Sequence, residues 1–217
     1  MTDYVSINFA LHPRDTPITA LNGPGTRFSV WVQGCSLRCT SECISPQMLD
    51  SGPRHIVAVA DAWAILWERA RSCGQQVDGI TLLGGEPTDQ APALALLASL
   101  AQSHGWSVVT YTGYKLEALL RLNRDGVDDL LTRTDILVDG PYIPALRDPM
   151  LRWRGSSNQR VLLLSNRFSP EELSAAPIRK GTDITLTVDG KLVVSGMQDA
   201  KMLAEFVESL RNRGVIE

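Results

Sequence analysis

The chain lacks a charge excess of either sign. Its 217 residues carry 21 Lys and Arg against 24 Asp and Glu, a formal net charge of −3. That balance leaves no basic footprint for nucleic acid or for an anionic membrane surface, so neither is an expected partner. Long hydrophobic runs are missing as well. The longest, residues 91–101, is interrupted by Pro92 and Ser99 and is too short to span a bilayer. The opening residues, Met1 to Ile7, show no basic segment ahead of an apolar core, so no signal peptide is expected and the expected setting is the cytoplasm. Internal repeats, linkers and low-complexity tracts are absent too. With 44% hydrophobic and 21% charged residues, the expectation is one domain over 1–217 with a well-buried core. Cysteine is sparse, with four in all. In a cytoplasmic chain of this size, four cysteines read as ligands or free thiols rather than as a disulfide framework. Histidine is sparser still, and His12, His55 and His104 have no paired carboxylate or serine in motif spacing. They read as surface or structural residues.

Against those absences stands a rhythm. Residues 4–10 and 27–32 read as strands around the turn-forming stretch 21–26. A helix is expected over 57–73, with Trp63 and Trp67 one turn apart on its core face and Gly74 as its stop. Then come a buried strand at 79–83, a helix at 91–103, a strand at 107–110, helices at 115–122 and 127–132, and a strand at 134–138. Strands alternating with helices between about residues 27 and 140 imply βαβ units and a parallel sheet. The long irregular stretch 141–158 is of the kind that is usually functional. A strand at 161–164 follows. Two more, at 182–188 and 191–195, flank Asp189-Gly190 as a hairpin, and an amphipathic helix is expected over 200–213. The fold class expected is α/β, an incomplete open (β/α)-type barrel with a mostly parallel sheet, closed by a C-terminal β-hairpin and helix.

In parallel α/β folds, sites gather at the carboxyl ends of the strands. Here those ends carry residues 35–43, then Gly84-Gly85-Glu86-Pro87, then Tyr111-Thr112-Gly113-Tyr114, then Asp139-Gly140-Pro141-Tyr142. The first holds Cys35, Cys39 and Cys43. Soft thiolates suit an iron–sulfur cluster or zinc. A structural zinc site favours four protein ligands, and neither His55 nor Cys73 has a convincing spacing to the triplet. Three thiolates without a fourth would leave one iron of a cluster open to chemistry. Zinc and a free-thiol loop remain the alternatives.

These segments, together with Trp31-Val-Gln-Gly-Cys35 and residues 151–160, resemble the radical S-adenosylmethionine (SAM) superfamily, and within it the activating enzymes of anaerobic ribonucleotide reductase. The resemblance covers nearly the whole chain. It implies that Cys35, Cys39 and Cys43 each bind one iron of a [4Fe–4S] cluster whose fourth iron chelates SAM. It also implies that one-electron reduction cleaves SAM to methionine and a 5′-deoxyadenosyl radical, which abstracts hydrogen from a backbone glycine of a partner enzyme. The partners it implies are a glycyl-radical enzyme and a one-electron donor such as flavodoxin or ferredoxin. Cofactor contacts would fall to Gly84, Gly85, Glu86, Thr112, Asp139 and Asn158, with Arg160 read as structural. The chain departs from the family in one place. The usual three-then-two spacing becomes three-then-three through Cys39-Thr-Ser-Glu-Cys43, and Glu42 takes the position that is usually aromatic and near the adenine. Two further readings stay open: a radical SAM enzyme with another peptide or small-molecule substrate, and a cluster- or zinc-bearing binding or electron-transfer module without SAM chemistry. Cys73, at a helix end, reads as a small buried hydrophobe.

Overall fold

The computed structural model describes residues 5–175, 181–186, 192–195 and 200–214. In chain order its strands are β1 (Ser6–Phe9), β2 (Ile18–Thr19), β3 (Arg27–Val32), β4 (His55–Ala58), β5 (Gly79–Gly84), β6 (Ser107–Thr112), β7 (Ile136–Asp139), β8 (Arg160–Leu163), β9 (Asp183–Leu186) and β10 (Leu192–Ser195). The helices are α1 (Val59–Ser72), α2 (Ala91–Ser103), α3 (Leu116–Leu122), α4 (Val127–Thr132), α5 (Pro170–Ala175) and α6 (Ala200–Asn212).

The apolar runs 27–32, 79–84 and 107–112 are rich in β-branched and aromatic residues and too short for helices. They become β3, β5 and β6, which pair in parallel with β7 at the end of the series. Both faces of this sheet are covered, as parallel strands require. Alternation along β6 shows it: Val108 joins the core formed with α1, α2 and α4 through Leu66, Leu94, Leu97 and Leu130, while Val109 packs with Ile136 and Val138 against Trp153, Phe168 and Leu173. The full order is β4-β1-β3-β5-β6-β7-β8, with β2 beside β3. The outer strands β1, β2, β4 and β8 pair antiparallel, which makes the sheet mostly rather than wholly parallel.

At the amino ends of the parallel strands, Arg27 is fully buried. Its guanidinium donates to Thr81 Oγ1, to the carbonyls of Pro24, Ile80 and Ser107, and to Ser107 Oγ, all between 2.7 and 2.9 Å. Burial draws its pKa down to about 10 against the pull of Asp135 and Asp78.

One local expectation differs from what is observed, and three elements carry features that the sequence reading leaves open. The stretch 57–73 is not one helix: residues 55–58 form β4, whose Ile56-Val57 pair with Asn8 and Ile7 of β1, and α1 begins only at Val59. Period counting cannot see a partner strand nearly 50 residues away. β2 and α5 are too short to announce themselves. β8 runs antiparallel to β7, with Val138 opposite Val161, because the intervening loop returns to the same end of the sheet instead of crossing it. The hairpin pairs as expected, Leu186 opposite Leu192, and its Asp189-Gly190 turn lies outside the described residues. Thr19 Oγ1 donates to the Asp183 carboxylate, tying β9 to the end of β2.

Candidate functional site

The carboxyl ends of β3, β5, β6 and β7 open onto one cavity of about 250 Å³. Its walls include Cys35, Cys39 and Cys43 from the loop after β3. Gly84, Gly85, Glu86 and Pro87 come from the end of β5, Tyr111 and Gly113 from β6, Gly140 and Tyr142 from β7, and Leu151, Trp153 and Arg154 from the long loop before β8. The convergence follows from the topology, because parallel strands deliver all their following loops to one edge.

The cysteine loop is held by its neighbours' backbone. Gly34 N–H donates to the Met48 carbonyl at 2.9 Å, and the Gly34 carbonyl accepts from Glu86 N–H at 2.8 Å. This last contact brings the two loops so close that a Cβ on Gly85 would lie 1.9 Å from the Gly34 oxygen, so only glycine fits there. Gly84 has φ +120, a conformation open to glycine, and turns β5 into the cavity wall. Cys35 is buried, Cys43 half-buried and Cys39 exposed. Backbone amides aim at two of the sulfurs: Arg38 N–H donates to Cys35 Sγ and Ser45 N–H to Cys43 Sγ, each at 3.4 Å. Burial raises the Cys35 thiol pKa, with Glu86 and Asp89 adding to the rise and the amides of Arg38 and Leu37 opposing it. The residue added between Cys39 and Cys43 is absorbed in a turn in which Glu42 N–H donates to Thr40 Oγ1 at 3.1 Å. Glu42 itself is exposed and lies outside the cavity wall, to which Thr40 and Ile44 contribute instead.

Glu86 is the buried carboxyl of the site. Its Oε1 accepts from Thr88 N–H at 3.0 Å, Thr88 Oγ1 at 2.7 Å and Thr112 Oγ1 at 2.9 Å, and its Oε2 accepts from Gly113 N–H at 2.9 Å. Burial holds its pKa above the usual carboxylate value, and the donors from Thr88, Gly113 and Thr112 pull the other way. Thr112 therefore reaches the site through Glu86 and is not itself in the wall. Asp139 is fully buried at the end of β7. It accepts from Leu116 N–H at 2.7 Å at the start of α3 and from the Arg160 guanidinium, whose other arm pairs with Glu117. Asn158 Nδ2 donates to the Pro141 carbonyl at 2.7 Å and pins the base of the long loop, while Gln159 Nε2 does the same for Gly140 at 3.0 Å. Neither Asp139 nor Asn158 is in the cavity wall. Cys73 lies apart, packed on the main core, and His104 packs at a tilt against Trp63 and Trp67.

Sequence reasoning did not single out Leu37, Ile44 or Arg154, which all line the cavity. Only their places beside Cys35, beside Cys43 and inside the long irregular loop could have marked them. Trp31, Tyr111, Tyr142 and Trp153 supply its aromatic surface.

Among the described residues, no three His, Cys, Asp or Glu side chains gather around one point where a single metal ion could sit. The three thiols share one cavity wall, and soft thiolates suit an iron–sulfur cluster. The donor set, the amides directed at sulfur and the glycine-lined wall fit an iron–sulfur cluster with a small polar cofactor beside it.

Comparison with known proteins defines the class first: residues 21–162 match the family described as 4Fe-4S single cluster domain. Over 151 residues the chain is 35% identical to the anaerobic ribonucleoside-triphosphate reductase-activating proteins of Salmonella typhimurium and of Escherichia coli K12, covering 67% of this chain and 93% of each relative. The protein of that name from Enterobacteria phage T4 is 27% identical over 154 residues, covering 69% of this chain and 92% of its own length. The chain belongs to this radical SAM activating-protein family, whose cofactors are a [4Fe–4S] cluster and SAM. Among the described residues, no helix is long and apolar enough to cross a membrane.

Proposed function

We propose that this chain uses SAM to install a glycyl radical on a partner enzyme, an anaerobic ribonucleoside-triphosphate reductase. The observation that carries this reading is that three thiols and the Gly84-Gly85-Glu86 turn wall one cavity at the carboxyl edge of a parallel sheet. When bound, the cluster and SAM supply one-electron reductive cleavage of a C–S bond and the hydrogen-abstracting power of the resulting 5′-deoxyadenosyl group. The protein's own part is to hold, orient and exclude.

Cys35, Cys39 and Cys43 are the cluster ligands in this proposal, and the amides of Arg38 and Ser45 stabilise charge on two of the sulfurs. Gly84 and Gly85 let the backbone approach the cofactor closely. Glu86, gripped by four donors, fixes the turn and is, among the described residues, the one carboxyl group in the cavity wall. Thr112 positions Glu86, Asp139 positions the β7 end and α3, and Asn158 positions the long loop; these three act through others. Trp31, Tyr111, Tyr142 and Trp153 keep the interior apolar, which protects a reactive intermediate from side reactions.

The proposal takes the chain, 1–217, as a single domain built as an incomplete open (β/α)-type barrel. The run of parallel strands ending in antiparallel edges and the Thr19–Asp183 tie between sheet and hairpin support it. Such an opening admits a loop of a large partner. The electron source is a one-electron donor of the flavodoxin or ferredoxin class, in the cytoplasm. A radical SAM enzyme with a different substrate would draw its support from the lengthened Cys39–Cys43 interval alone, and that extra residue is taken up in an exposed turn.

The test is transfer. The anaerobic, cluster-loaded protein with SAM, reductant and the reductase should give a glycyl-radical doublet by electron paramagnetic resonance. SAM consumed with no radical on the reductase would move the reading to another substrate.

A further inference from the structure

The cysteine loop is held from outside by a carboxylate that the sequence motifs leave unassigned. Asp89 lies in the single helical turn Pro87–Gln90 that follows the Gly84-Gly85-Glu86 segment. Its Oδ2 accepts from Ser36 N–H at 2.6 Å and its Oδ1 from Ser36 Oγ at 2.6 Å. Ser36 directly follows Cys35. Asp89 Oδ1 also accepts from Arg124 Nη1 at 2.8 Å. Arg124 is seated in turn by Tyr114, with Nη2 3.0 Å from the phenol oxygen and the guanidinium carbon 5.0 Å from the ring centroid. Three strand-end loops and the α3–α4 connection thus meet at one ion pair, whose side chains are only 21% (Asp89) and 33% (Arg124) exposed.

Two consequences follow from elementary physics. First, Ser36 gives both its donors to one charged acceptor. Charge-assisted bonds of this length are among the stronger ones, and they fix the backbone next to a ligand. Second, the two charges are balanced only while both are present, and a partly shielded site screens them less than open solvent does. A lone carboxylate near an iron–sulfur cluster disfavours adding an electron, and a lone guanidinium favours it. The other charged groups around the loop and its cavity include Arg38 and Glu42, both exposed, the buried Glu86 and the half-buried Arg154; the Glu86 carbonyl accepts from Asp89 N–H at 3.0 Å, while the Asp89 carboxylate pairs with Ser36 and Arg124.

We propose that Asp89 is a positioning residue that locks the cluster loop through Ser36, and that the Asp89–Arg124 pair sets how readily the cluster accepts its electron. This inference rests on the cluster assignment made above and goes beyond it by naming residues outside the cavity wall.

The test uses the full chain, anaerobically reconstituted, as wild type, Asp89→Asn, Arg124→Gln and the double variant. Two readouts apart from activity are taken: the midpoint potential of the cluster and the rate of iron loss to a chelator. Asp89→Asn should move the potential to a more positive value, Arg124→Gln to a more negative one, and the double variant back toward wild type. Asp89→Asn should also lose iron about tenfold faster, the scale of one hydrogen bond to a charged group. A purely structural role would move both single variants the same way. Shifts of one sign, no shift in either variant, or unchanged iron loss in Asp89→Asn would overturn the inference. A wild type that takes up no cluster would overturn it together with the cluster assignment. A wild type that takes up cluster but leaves SAM uncleaved would overturn the proposed function alone, and the potentials would still decide this point.

Discussion

The hydroxyl of Thr112, at the end of β6, donates to the buried carboxyl of Glu86, at the end of β5, at 2.9 Å. Two strand-end motifs that look independent in the sequence are therefore one unit, and Thr88 and Gly113 complete it. Removing the carboxyl strands four donors in a buried site. Glu86→Ala is expected to destabilise the protein by about 3 kcal/mol, read as a drop in the urea midpoint. A loss within error of zero would mean that water reaches those donors.

The same residue predicts a pH dependence. The carboxyl titrates near 4.5 when exposed, and burial raises that value in the folded protein. Between the two values the folded state binds more protons than the unfolded state, so stability falls as pH rises through that window. Urea midpoints of the metal-free protein across that range should decline with pH, and Glu86→Gln should flatten the slope. An unchanged slope in Glu86→Gln would assign the dependence to another group.

Gly85 faces the Gly34 carbonyl with no room for a methyl group. Gly85→Ala should push the cysteine loop away from the β5 turn and lower the iron bound after reconstitution. Gly105→Ala, at φ +81 and with no atom within 4 Å of the added Cβ, puts backbone strain far from the site; it serves as the control, with a lowered urea midpoint but normal iron binding expected. Equal iron in both variants would show that the loop contact is dispensable.

Much of this arrangement is legible in the sequence because it is local. The cysteine triplet, the Gly84-Gly85-Glu86 turn and the alternation from residue 27 to 140 are short-range patterns, and the parallel strands and their loops fall where those patterns put them. What was not legible depends on distant partners. Residues 55–58 become a strand because β1 lies alongside them. Asp139 reads as a turn aspartate or a cofactor contact at a strand end, and nothing local shows that Arg160, 21 residues on, pairs with it. Asn158 Nδ2 reaches back to the Pro141 carbonyl, while its buried Oδ1 has no hydrogen-bond partner among the described residues. Nothing local marks Asp89, whose value comes from Ser36 on another loop, 53 residues earlier.

Arg27 shows the same nonlocal logic away from the site. Its five hydrogen bonds join β3, β5 and β6 at the end opposite the cavity. Arg27→Met leaves those acceptors unmet and should cost about 3 kcal/mol, seen as a lower urea midpoint, while the cysteine loop still binds iron. Full stability in Arg27→Met would show that the strand ends are held by their ladder alone.

In the function proposed, three thiols and a glycine-lined turn make a SAM-cleaving centre. The most direct test is anaerobic. The protein is reconstituted with iron and sulfide, reduced with dithionite and given SAM, and 5′-deoxyadenosine is measured by chromatography beside Cys39→Ala and Cys73→Ala. Wild type and Cys73→Ala should form product, and Cys39→Ala none. A fully loaded, reducible wild-type cluster that yields no 5′-deoxyadenosine would contradict that function.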